Sequence, residues 1–242
     1  MNDIMDRYFF NPFTFLMLLI FVGALFLLFP LFLLSVIGTA FVKLGFSWRE
    51  VIGILLCTLI GSFVNIPLFS IEGKPTLLKE PVHTLFGFFY RIREYTPVTM
   101  VSINVGGAVI PVLISAYLLV DSLIVLKNPW LVILSSLIGI VIVTIVVKAV
   151  ARPVRGVGIV TPFFVPPLSA LLCGVLLSLS PGSEPLASAI IAYVSGTMGT
   201  LIGADILNIS RIQEISAPVV SIGGAGTFDG IFLTGVIAAF LA

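Results

Sequence analysis

Between Pro12 and Val42 the chain runs without a single charged residue, through an almost unbroken series of Leu, Phe, Ile and Val. No other feature constrains the fold as strongly. A stretch of this length exceeds the roughly 20 apolar residues that cross a bilayer as a helix. In lipid each backbone N–H and C=O must find its partner inside the protein, which leaves helices and closed barrels. Further apolar runs follow at intervals, and the 242 residues are 59% apolar and only 10% charged. Soluble domains carry about a quarter charged residues. The sequence therefore predicts an integral membrane protein.

Seven spans are expected, at about Pro12–Val42, Arg49–Phe69, Thr99–Val120, Trp130–Val147, Val157 to just before Pro181, Pro185–Ile209 and Val219–Ala242. Pro30 predicts a kink in the first. MNDIMDRYFF carries two acids, and the run after it outlasts a signal-peptide core, so the first span is read as retained. The 70–97 loop is polar, and PVHTLFGFFYRIREY within it is read as an interfacial amphipathic helix. With the N-terminus inside, Arg7, Lys74, Lys79, Arg91, Arg93, Lys148, Arg152, Arg155 and Arg211 face the cytoplasm, and only Lys43, Arg49 and Lys127 face out. That bias predicts a multi-pass protein of the cell membrane with its C-terminus outside.

Three segment pairs recur in the same order. NPFTF from Asn11 resembles TPFFV from Thr161; Thr58-Leu-Ile-Gly resembles Thr200-Leu-Ile-Gly; Val101-Ser-Ile, followed by Gly106-Gly107-Ala108, resembles Val220-Ser-Ile-Gly-Gly-Ala. The expected architecture is thus all-α: a single transmembrane domain over 1–242, with three-helix units at 12–122 and 157–242 joined by a linker helix at 129–150. Parallel repeats of this kind occur in transporters.

The chemistry-bearing residues concentrate in Thr200–Gly230. Asp205 lies near the end of one span and Asp229 near the start of the next, and an ionisable group inside a membrane is functional or paired by default. Two carboxyls close together in low dielectric share a proton, and such a pair can act as base and acid on one water. The first half has Phe63 opposite Asp205 and Val112 near the place of Asp229, and offers Asn65 and Asn104 instead. Asn65, Asn104, Gly106, Gly107, Asn208, Gly223, Gly224, Gly226 and Thr227 form the expected substrate or ion pathway. The glycines either unwind a span against a cavity or let helices pack closely.

Other classes fall away. The sole histidine, His83, lies in the polar loop, and Cys57 and Cys173 have no CxxC spacing, so no metal site or disulfide framework is expected. No cofactor is implied, and a net charge of +1 gives no case for nucleic acid. The expected partners are the bilayer and either a membrane-embedded peptide or a small solute or ion; a homo-oligomer is compatible with all of this.

NVGGAVIP, RPVRGVGIVTPFFVPP, GTLIGADILN and GGAGTFDGIFLTG resemble a family of bacterial and archaeal polytopic proteins known as domain of unknown function 1614. That resemblance implies a fold family and no activity. GAGTFDGIF is also similar to the GxGD motif of presenilin- and prepilin-peptidase-type aspartyl proteases, with two residues inserted and no Pro-Ala-Leu motif after it. It implies catalytic roles for Asp205 and Asp229. The sequence thus predicts an intramembrane aspartyl hydrolase, with a proton- or cation-coupled transporter or channel as the alternative.

Overall fold

The computed structural model describes residues 12–73, 76–84, 87–96, 98–154, 158–179, 184–214, 217–224 and 230–242. Seven α-helices dominate them: α1 (Pro12–Lys43), α2 (Trp48–Gly61), α3 (Ile110–Val125), α4 (Pro129–Val150), α5 (Val165–Leu177), α6 (Pro185–Thr200) and α7 (Gly230–Leu241). Proline stands in the first turn of α3, α4, α5 and α6, where its missing N–H costs nothing and its fixed φ suits the helix. The TPFFVPP motif thus opens α5, as expected. A Ser47–Glu50 capping box starts α2, with the Glu50 carboxylate accepting the Ser47 amide at 2.7 Å. Helix α1 runs through Pro30 without interruption.

Four helical stretches are long and apolar enough to cross a bilayer: Phe13–Lys43, Val105–Val125, Pro129–Val150 and Pro185–Ile212. The apolar helices α5 and α7 are shorter. The protein is a mostly helical membrane protein.

Helix α6 is the hub. Its side chains from Ala187 to Thr200 are buried at every position but Met198, and α3, α4, α5 and α7 surround it. Without a hydrophobic force between helices in lipid, close approach through small residues supplies the packing. Gly139 of α4 lies against Ser195, Gly174 of α5 against Ala192 and Ser188, and Gly235 of α7 against Thr197 and Tyr193. The Tyr193 ring completes an aromatic cluster with Phe41 at 6.0 Å, and Phe41 in turn meets Phe232 at 6.1 Å. Only the last two turns of α1, from Ile37, and Leu44 just beyond it enter this core; the rest of the helix is more exposed.

The all-α expectation needs correction. Among the described residues seven strands accompany the helices: β1 (Asn65–Glu72), β2 (Thr76–Thr84), β3 (Gly87–Tyr95), β4 (Val98–Asn104), β5 (Arg152–Val154), β6 (Gly158–Val160) and β7 (Val219–Ile222). The expected second, third and seventh spans are each part helix and part strand. The expected amphipathic helix in the 70–97 loop is instead the β2–β3 hairpin, with Glu80 opposite Arg91 and Val82 opposite Phe89. Pro81 would interrupt a helix there, and the β-branched and aromatic residues favour strands. β1 pairs with β4 and β2 with β3, both antiparallel, in two separate sheets.

The sheet order β1-β4-β7 carries the central finding. β4 and β7 run parallel, with Val101 beside Val220, Ser102 beside Ser221 and Ile103 beside Ile222. These are the residues matched by the internal sequence comparison. Segments similar in sequence lie side by side in register.

The packing generates a prediction. A Cβ on Gly174 would meet the Ala192 Cβ at 2.6 Å and the Ser188 carbonyl at 2.8 Å, whereas one on Gly53 would meet nothing within 4 Å. Gly174→Val should destabilise the detergent-solubilised protein by roughly 1–3 kcal/mol in thermal unfolding, and Gly53→Ala should not.

Candidate functional site

Two breaks in the helical spans meet where β4 and β7 end. In the first, α2 stops at Gly61, and α3 is entered through a widened π-type turn over Val105–Val109. Such a turn leaves backbone groups without their usual i−4 partners, and buried ones need others. Asn104, fully buried, supplies them. Its Oδ1 accepts the Gly107 amide at 2.7 Å, and its Nδ2 donates to the Ser62 carbonyl at 2.8 Å and to Asn65 Oδ1 at 3.1 Å. Asn65 Oδ1 also accepts the Ser221 hydroxyl at 2.6 Å, tying β1 to β7. Gly106 stands directly on the end of α2, where any Cβ would strike the Thr58 carbonyl and the Ser62 amide.

In the second break, α6 passes into a π-type turn over Leu201–Asp205 and then a 3₁₀ segment over Ile206–Glu214. Asn208 Nδ2 donates to the Gly203 and Ala204 carbonyls at 2.9 and 3.0 Å, satisfying acceptors that the widened turn frees. Asp205 reaches across to the other arm, its Oδ2 accepting the Gly223 amide at 2.9 Å. Gly223 and Gly224 have φ of 82° and 77°, a left-handed conformation that glycine adopts without strain. Gly223 also packs against Gly107 and Ala108, where a Cβ would approach the Ala108 Cβ to 2.6 Å.

The two breaks therefore form one polar centre. Asn65, Asn104, Gly106, Gly107, Asp205 and Gly223 come together in it, with Gly224 next in the chain. Asn208 holds its own turn behind it. Gly226, Thr227 and Asp229 lie outside the described residues, so the carboxylate dyad has one described member. Sequence reasoning missed Ser62 and Ser221. Ser221 could have been found from the match of Val101-Ser-Ile with Val220-Ser-Ile, which puts a serine at the equivalent place in both halves.

The matched Thr58 and Thr200 share another property. Both hydroxyls are buried without a hydrogen-bond partner among the described residues, as is that of Ser136. No cluster of His, Cys, Asp and Glu suited to a metal ion occurs among the described residues.

Residues 59–241 match the family described as protein of unknown function DUF1614. The chain belongs to this family. The match covers both breaks, α3 to α7 and all seven strands. No curated protein and no solved structure matches the chain, so the likeness to aspartyl proteases gains no support from relatives.

The hydrogen bonds predict distinct outcomes for two side chains. Asn104→Ala orphans buried groups on both strands of the break and should cost about 1–3 kcal/mol for each group left unpaired. Asp205→Asn retains an oxygen for the Gly223 amide and should unfold close to the wild-type temperature, whereas Asp205→Ala should not. Thermal unfolding in detergent reads all three.

Proposed function

We propose that this DUF1614 protein moves a small solute or ion across the membrane through its paired breaks, with Asp205 as the proton- or cation-coupling carboxylate. The observation that carries the reading is the parallel, in-register pairing of β4 with β7. Irregular backbone at membrane depth is tolerated where it is buried in protein or lines a wet cavity. Transporters built from repeats use such interrupted helices at the repeat interface, with helix ends turned towards the substrate. Here α3 and α7 both start from the break region, and α2 and α6 both end there. On this reading the N-terminus is cytoplasmic and both breaks lie towards the cytoplasmic side.

The two halves would differ in role. In the first, Asn104 and Gly106 close the break with neutral hydrogen bonds and backbone contact. In the second, a carboxylate does the bridging, and a proton or cation that neutralised it would weaken its hold on the Gly223 amide. That coupling of charge to backbone contact supplies the switch that transport requires.

Intramembrane hydrolysis by Asp205 and Asp229 is the second reading. Its specific support is the Gly223 amide on Asp205, which holds a residue six positions before Asp229 in the sequence against the first acid.

Proteoliposomes separate the two. With a pH-sensitive dye inside and an imposed potassium diffusion potential, wild-type protein should admit protons, and Asp205→Asn should lower that flux at least tenfold. Equal flux in wild type and variant would remove Asp205 from a coupling role. Cleavage of a reconstituted transmembrane peptide, abolished by both Asp205→Asn and Asp229→Asn, would establish the hydrolase instead.

A further inference from the structure

We propose that a groove on the outer wall of the bundle binds an anionic membrane lipid, with its acyl chain between α1 and α7 and its headgroup at Arg152. Three adjacent cavities with shared lining residues make up the groove. The first, about 500 Å³, is wholly apolar and lies between the Phe29–Ile37 stretch of α1 and Leu233, Val236 and Ile237 of α7. Phe163 and Leu233 also line a second chamber of about 230 Å³, beside Pro166, Pro167 and Gly230. Val160 and Thr161 lead from there into a third, about 500 Å³, which contains Arg152.

The succession of side chains has the form of an amphiphile. Apolar walls at one end suit a hydrocarbon chain, which gains from displacement of nothing but other lipid or void. The Thr161 hydroxyl and the Arg152 guanidinium occupy the other end, where α4 has just finished and Lys148 marks its last turn. Arg152 and Val160 are partners across the β5–β6 hairpin and Val154 is two residues on, so all three present the same face to the third chamber. No acidic residue is among the described residues lining the groove. With no acid among the described residues that line its chamber, a guanidinium at this position fits the phosphate of a lipid headgroup through paired N–H donors.

The wall opposite the bilayer supports the same occupant. Phe29 and Leu33 of α1 remain 56% and 39% exposed, and the most apolar stretch of that helix has no buried residue. The groove therefore opens sideways to lipid along its apolar length, while its cationic end sits at the helix boundary. A zwitterionic lipid would fill the same chambers without the net charge complement.

Lipid retention tests the assignment. Purified wild type in detergent is mixed with equal phosphatidylglycerol and phosphatidylcholine, and bound lipid is counted by native mass spectrometry. Phosphatidylglycerol should be retained preferentially; Arg152→Gln should weaken it about fivefold, the weight of one basic residue at an anionic surface, and Arg152→Lys should keep most of it. Leu233→Trp, which fills the junction of the first two chambers, should displace the lipid while leaving Arg152 in place. Equal retention of both lipids, or unchanged retention in Arg152→Gln, would overturn the proposal. Displacement by millimolar inorganic phosphate, with Leu233→Trp without effect, would show a free-anion site and overturn it too. Correct folding of each variant is read from its thermal unfolding, and none of these outcomes depends on transport or hydrolysis.

Discussion

Hydrogen-bond accounting at the two breaks governs the rest of this structure. A span that leaves helical geometry inside a membrane frees backbone groups that have no water to turn to. Here each break is closed by one polar side chain that reaches sideways. Asn104 serves the Gly107 amide and the Ser62 carbonyl, and Asp205 serves the Gly223 amide. The serving group must be close, so the ends of α2 and α6 are drawn against the starts of the arms that lead to α3 and α7. Gly106 and Gly223 then follow as requirements, because a side chain at either would collide with its neighbour.

The same requirement explains the sheet. Strands β4 and β7 bring their backbone groups to each other instead of to lipid, and β1 covers the other edge of β4. Helix α6 anchors the arrangement from the opposite side. Small residues on its neighbours allow it to be enclosed almost throughout, so the π-type turn at its end is held against α4, where a Cβ on Gly203 would strike the Thr144 carbonyl at 2.6 Å. One difference between the two matched segments bears directly on the break. Phe63, 81% exposed, stands where its counterpart is Asp205. The carboxylate bridges to Gly223, and Phe63 has no such polar reach.

Much of this was legible in the amino-acid order. Uninterrupted apolar runs announced the helices, prolines marked five of their starts, and the acid inside Thr200–Gly230 pointed to the break. The Val101-Ser-Ile and Val220-Ser-Ile match named residues that stand in register. The strands were not legible, because hydropathy reads a buried apolar strand such as Val98–Asn104 as part of a span. Their partners are remote: β4 pairs with β7 across more than a hundred residues of chain, and no local pattern encodes such a pairing. The groove was equally hidden, since Phe29, Leu233 and Arg152 acquire a common surface only after α1 settles beside α7. Asn208 looked like a pathway residue by its place in GADILN, yet its side chain closes its own turn.

The central claim is that the two halves meet through β4 and β7 in one fixed register. Cysteine pairing tests it directly, in protein from which Cys57 and Cys173 have been replaced. Neighbouring strands lie about 4.8 Å apart, within the Cα separation of roughly 4.4–6.8 Å that a disulfide spans. Ser102→Cys with Ser221→Cys should cross-link rapidly in the membrane. Ser102→Cys with Val219→Cys, displaced by two residues, should not. Cross-linking of the displaced pair, or none in the matched pair of a correctly folded protein, would contradict the account.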